Sequence, residues 1–234
     1  MIGIFAVMAT TMTSPVISCE ALQAVTLPDT SITAEAVPGG PFSRPEGMFR
    51  IPGSGNEQPL PVYCRVNMVL RPTADSQINV ELWLPEKTWN GKFMAAGNGV
   101  WGEAIHGYND MLENLRRGYA TAATDTGHTG SPMSARFALG HPEKVVDFAY
   151  RAIHLMTVRS KQLIHAFYHQ PPEYSYFRSC STGGRQGVMS AQRYPGDFDG
   201  IIAGALANRH IHMHTAAKEA DDCLTAAQLT QVFQ

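Results

Sequence analysis

The segment Ser179-Cys180-Ser181-Thr182-Gly183-Gly184-Arg185-Gln186-Gly187 decides the fold. Tyr174 to Ser179, just before the turn, reads as a strand, and Gly184 to Arg193 reads as a helix. A serine at such a junction fits a nucleophile elbow, a turn so sharp that the residues two before and two after must be small. Here they are Ser179 and Gly183. The turn would lift the Ser181 hydroxyl above the sheet, over a helix N-terminus that favours developing negative charge. The backbone N–H of Thr182 is then a natural oxyanion donor. Two plainer readings fit the same letters. One is a Ser/Gly-rich turn without chemistry. The other is a phosphate-binding loop, against which stands the lack of a Lys-Ser/Thr pair or a GxGxxG pattern.

Working outward, strands alternate with helices. Lys92 to Ala96 and Tyr119 to Thr124 read as short strands, and Asp110 to Arg117 as a helix stopped by Gly118. Glu143 to His169 reads as a long helix, with Val145, Ala149, Ala152, Met156, Leu163 and Phe167 at helical spacing, ended by Pro171-Pro172. Asp199 to Ala203 is a further strand. This alternation predicts a parallel sheet with right-handed crossovers. Upstream, Val62 to Leu70 and Gln77 to Leu84 are strand-like, and Arg71 to Asp75 fits a hairpin connection. Residues 28 to 61, rich in Pro and Gly, read as loops and short edge pieces.

Composition narrows the function. The chain has 234 residues, of which 44% are hydrophobic and 16% charged, with net charge −2. That balance argues against an electrostatic nucleic-acid binder and against disorder. No uncharged apolar run reaches the ~18 residues that span a bilayer. Residues 1 to 18 carry no charged side chain, and Ile2 to Met8 is apolar, which suggests a secretory signal despite the missing basic n-region. The four cysteines, Cys19, Cys64, Cys180 and Cys223, contain no CxxC pair, so a zinc or thioredoxin-type site is not expected. They are either partly oxidised, as in an exported protein, or buried thiols.

Cys180 to Gly187, Ala191-Gln192-Arg193-Tyr194-Pro195 and Asp197 to Ala205 together closely resemble the tannase/feruloyl esterase family of secreted serine esterases. Ala123 to His128, Asp147 to His154 and Leu60 to Val66 match as well, so the resemblance runs over about residues 19 to 209. It implies an incomplete α/β-hydrolase fold: a mostly parallel sheet with flanking helices, an N-terminal β-hairpin region and a lid that is nearly absent. Residues 1–18 would be a signal peptide, 19–209 the first part of the catalytic domain and 210–234 a remnant of the lid. The resemblance makes Ser181 the nucleophile and Thr182 an oxyanion donor. Gly99, in Gly97-Asn98-Gly99-Val100-Trp101-Gly102, becomes the other donor, and family members often have glycine where Val100 stands. It further implies a Cys19–Cys64 disulfide and a bond from Cys180 to a cysteine beside the catalytic His. The implied substrate is a small aromatic ester, a hydroxycinnamate or a gallate, cleaved through an acyl-enzyme in a secreted or periplasmic setting. No nucleic acid, membrane or cofactor is implied, and the oligomeric state is unreadable.

The family pattern breaks late in the chain. The triad Asp and His lie downstream in the family and are absent here, as is the Asp-rich calcium loop of the lid. Asp197, Asp199, His210, His212 and His214 follow Ser181 in the right order. However, Asp197 and Asp199 match a turn that caps the next strand, and the three histidines read as a tail rather than as a triad or metal site. His128 either contacts substrate or pairs with Asp125 to hold its loop, and Arg185 and Gln186 are as much structural as substrate-facing. The expectation is a serine esterase chain that is inactive on its own, the alternative being a remnant that binds aromatic ligands or partners.

Overall fold

The computed structural model describes residues 15–43, 58–102, 104–105, 107–209 and 213. Among the described residues, seven strands form one sheet: β1 (Thr30–Val37), β2 (Tyr63–Leu70), β3 (Ile78–Pro85), β4 (Lys92–Ala96), β5 (Ala120–Thr124), β6 (Tyr174–Cys180) and β7 (Gly200–Gly204). Their order is β1-β2-β3-β5-β4-β6-β7. The strands β5, β4, β6 and β7 run parallel, and β1, β2 and β3 add an antiparallel wing. The helices are α1 (Tyr108–Arg116), α2 (Pro142–Val146), α3 (Ala152–Tyr168) and α4 (Thr182–Arg193). This is the α/β architecture expected from the strand–helix alternation.

Two details differ from the expectation. The Pro/Gly-rich segment holds a complete eight-residue strand, β1, paired from Thr30↔Leu70 to Val37↔Tyr63. Its face toward solvent is polar and only Ala34 is buried, so periodicity carried little signal. The long helix is continuous from Pro142 to Tyr168, but Asp147–Arg151 forms one π turn within it. Such a turn widens the backbone and commonly marks a functional region.

Alternation along the strands sorts the core into two layers. Val66, Met68, Val80, Leu82, Phe93, Ala122 and Phe177 face α3, which answers with Met156, Leu163, Ile164 and Phe167. Trp83, Ala96 and Ala123 face the other way and meet Met111, Leu112 and Leu115 of α1. Each large side chain buried this way contributes roughly 1.5–3 kcal/mol. Strand β5 is buried at all five residues, as expected of a central parallel strand covered on both faces.

Cys19 and Cys64 form a disulfide that ties the N-terminal turn to β2, with Cα atoms 5.4 Å apart. On the α1 face, buried Glu81 accepts hydrogen bonds from Trp83 Nε1 (2.7 Å) and the Tyr108 hydroxyl (2.5 Å). Burial and the neighbouring Glu81 push the Tyr108 hydroxyl well above the usual tyrosine range. The parallel order sets β4 beside both β5 and β6, so the loops after all three strands meet at one end of the sheet. Crevices at the carboxyl ends of strands are where open α/β sheets bind ligands.

Candidate active site

Strand β6 ends at Cys180 and α4 begins at Thr182, so Ser181 alone makes the turn. Its backbone sits at φ 61°, ψ −123°, a region that a side-chain-bearing residue rarely adopts. Such conformations cost on the order of 1–3 kcal/mol and persist where the surroundings impose them. Three backbone bonds do so here: Ser181 N–H donates to Gly204 O, and Ser181 O accepts from Arg185 N–H and Ala207 N–H, each at 3.1 Å. Ser181 is exposed above the sheet. Among the described residues its Oγ has no hydrogen-bond partner.

The small residues around the elbow are needed for close approach. A Cβ on Gly183 would overlap Ser179 and stand 3.1 Å from Asn98 O. One on Gly184 would overlap Gly204 O. Helix α4 therefore starts tight against both β6 and the loop after β4.

That loop, 97–102, turns sharply. Gly102 N–H donates to Gly99 O at 3.0 Å, and Val100 sits at φ 48°, an unusual value for a β-branched residue. The Thr182 hydroxyl donates to Val100 O at 2.6 Å. Buried Gln186 reaches Asn98 with its whole amide: Oε1 accepts from Asn98 N–H at 3.0 Å, and Nε2 donates to Asn98 Oδ1 at 3.2 Å. Asn98 Nδ2 in turn donates to Thr124 O at 2.6 Å. Thus Gly99, Thr182 and Ser181 come to the same end of the sheet, through loops fastened to one another.

An aromatic layer supports this end. Trp101 packs 5.4 Å from Phe148, and His128 stacks on Phe137 at 3.5 Å. Arg185 lies over Phe148 at 4.7 Å and donates to Phe148 O and Ala149 O, two carbonyls of the π turn. Burial lowers the Arg185 guanidinium to about 10. Arg185 and Gln186 thus both bond to the scaffold around the site.

Buried Asp125 accepts from Asn79 N–H (3.0 Å), Asn79 Nδ2 (2.5 Å) and Gly127 N–H (2.9 Å) and so orders its loop through Asn79 and Gly127. Burial raises its carboxyl to about 6. Burial lowers His128 to about 4, which keeps the ring neutral at pH 7. Asp199 accepts from Ser175 N–H at 2.7 Å and caps β6 near its start, while Asp197 faces His154 Nδ1 at 2.8 Å. Both aspartates therefore have structural partners away from the elbow. His210, His212, His214 and Cys223 lie outside the described residues.

Sequence reasoning left the role of Gln186 open and did not see the Phe148 platform. The spacing held a signal for the first: Thr182 and Gln186 are four apart, so they share one face of α4.

A family profile described as tannase and feruloyl esterase matches residues 64–234. The chain belongs to the tannase and feruloyl esterase family. It is 42% identical over 196 residues to an uncharacterized esterase of Xanthomonas campestris pv. campestris, covering 83% of this chain and 33% of that protein. It is 38% identical over 191 residues to a probable feruloyl esterase B-2 of Neosartorya fischeri, covering 81% and 35%. The crystal structure of feruloyl esterase B from Aspergillus oryzae superposes with a TM-score of 0.71 at 34% identity, over 83% of this chain and 38% of that one. The chain thus spans about a third of the length of the curated relatives it matches. In this family member, Cys180 is exposed and has no disulfide partner among the described residues. No group of three His, Cys, Asp or Glu side chains is placed to hold a metal ion among the described residues. No described helix is long and apolar enough to cross a membrane.

Proposed function

We propose that this chain carries the nucleophile half of a serine carboxylic-ester hydrolase acting on phenolic esters. Ser181 Oγ attacks the ester carbonyl, the alcohol leaves, and water then releases the aromatic acid from the acyl-enzyme. The N–H groups of Thr182 and Gly99 stabilise the oxyanion. The observation that carries this reading is the backbone of Ser181, held at φ 61° between β6 and α4. A Ser/Gly turn without chemistry gives no reason for a non-glycine residue there. A phosphate loop gives no reason to expose a lone hydroxyl above the sheet.

The base and its orienting carboxylate lie outside the described residues in this reading. His128 does not supply the base. It is stacked in the aromatic layer, and burial disfavours the charged ring that a base must form. Serine acyl transfer uses protein groups alone, so no cofactor is assigned. The disulfide supports maturation in an oxidising compartment, hence export.

The test is hydrolysis of methyl ferulate, a gallate ester and an activated acetate by the 234-residue chain and by Ser181→Ala. The expected turnover is well below the ~1 s⁻¹ of ordinary enzymes and is lost in the variant. Added imidazole, an external base, is expected to raise the Ser181-dependent rate. A rate that Ser181→Ala leaves intact would sink the reading.

A further inference from the structure

The glycine loop has no regular structure of its own, yet an oxyanion donor must be placed to within a fraction of an ångström. A misplacement of about 1 Å can cost on the order of 10²-fold in rate. Residues 97–102 carry strain at Val100, so something outside the loop must hold them. Thr182 holds the tip. The start of the loop is held by Gln186, whose amide makes both an accepted and a donated bond to Asn98.

We propose that Gln186 is a positioning residue for oxyanion stabilisation, a role that rests on the esterase reading above. Gln186 lies on α4, one turn beyond Thr182, and α4 begins at the nucleophile. It therefore fixes Asn98, and with it the N–H of Gly99, relative to Ser181 itself rather than to the sheet at large. The site is closed to substitution by water: Gln186 is 1% exposed and Asn98 3%. Gly97 completes the fit, since a Cβ there would stand 2.8 Å from Gln186 Oε1. Asn98 Nδ2 is engaged by Thr124 O, which leaves its Oδ1 for Gln186 and fixes the direction of both amides. A carboxylate at 186 would accept from Asn98 N–H but face Asn98 Oδ1 without a proton. A neutral carboxyl would restore both bonds, because its O–H replaces the amide donor.

The test uses the 234-residue chain with two readouts. The first is the hydrogen-exchange protection of the Asn98 amide in wild type, Gln186→Leu and Gln186→Glu. The second is the imidazole-assisted, Ser181-dependent hydrolysis of an activated acetate, resolved into kcat and KM. Gln186→Leu is expected to lower Asn98 protection by at least ~100-fold and kcat by ~10- to 100-fold, with KM and the protection of β4 and β6 unchanged. Gln186→Glu is expected to lose Asn98 protection at neutral pH and regain it on acidification, a signature that general loss of packing does not produce. Unchanged Asn98 protection in Gln186→Leu, or lost protection with kcat unchanged, overturns the proposal. If Gln186→Leu unfolds, the acid recovery of Gln186→Glu decides: recovery supports the proposal and its lack overturns it. Equal rates in wild type and Ser181→Ala would instead sink the esterase reading, and the exchange data would still show whether Gln186 holds the loop.

Discussion

Gly183 lies so close to Ser179 that any Cβ at position 183 would overlap the Ser179 hydroxyl. The two residues flank the candidate nucleophile symmetrically, and their contact lets the chain reverse from β6 into α4 within one residue. The small-x-Ser-x-Gly pattern is thus a steric requirement here.

The overlap gives a stability test. Alanine at an exposed helical position gains up to about 1 kcal/mol over glycine. At 183 the clash outweighs that gain, and Gly183→Ala is expected to lower unfolding stability by about 1–3 kcal/mol in urea titration. Ser179→Gly removes both atoms in conflict. The double variant is therefore expected to recover most of the loss, a coupling that a double-mutant cycle would read directly. Additive effects would contradict the account.

Two buried groups near the site give opposite pH dependences. Asp125 is raised from 3.8 to about 6, so its contribution to stability is full at low pH and is lost as pH rises through 6. His128 is lowered from 6.5 to about 4, so its contribution is full above 6.5 and is lost as pH falls through 4. Each amounts to about 3 kcal/mol at most, and between pH 6.5 and 4 they largely offset. His128→Phe keeps the stacking on Phe137 but removes one titration. Relative to wild type, it is expected to gain about 3 kcal/mol of stability as pH falls from 6.5 to 4, by urea unfolding at each pH. A pH-independent difference would show that His128 is not held neutral.

The sheet, its helices and the elbow were legible because their signals are local. Alternation at Tyr174 to Ser179 and the small residues around Ser181 need no distant partner to be read. Strand β1 was hidden because its partner β2 begins only at Tyr63, far along the chain, while half of its own residues are exposed and half are polar. The Asn98–Gln186 clamp was hidden for a related reason. Its two halves are 88 residues apart, and neither amide differs in sequence from a surface amide. The disulfide came from the family resemblance, since four cysteines alone allow three pairings.

The Cys19–Cys64 link closes a separation of 45 residues. Loop-closure entropy sets its stabilisation at about 4 kcal/mol, with measured cases often 2–4. The Cys19→Ser/Cys64→Ser double variant is expected to lose that much in urea unfolding, and reductant is expected to affect wild type but not the variant. Equal stability with and without reductant in wild type would contradict a formed bond.

In the proposed reaction the Ser181 hydroxyl is the group that takes the acyl chain. The most direct measurement is peptide mapping by mass spectrometry after brief exposure to an activated phenolic ester with imidazole present. A Cys180→Ala background removes the neighbouring exposed thiol, which would otherwise compete as a nucleophile. One acyl group is expected, on Ser181, that is lost in Ser181→Ala and depleted in Gln186→Leu. Acyl groups scattered over lysines and tyrosines, with Ser181 unmodified, would contradict it.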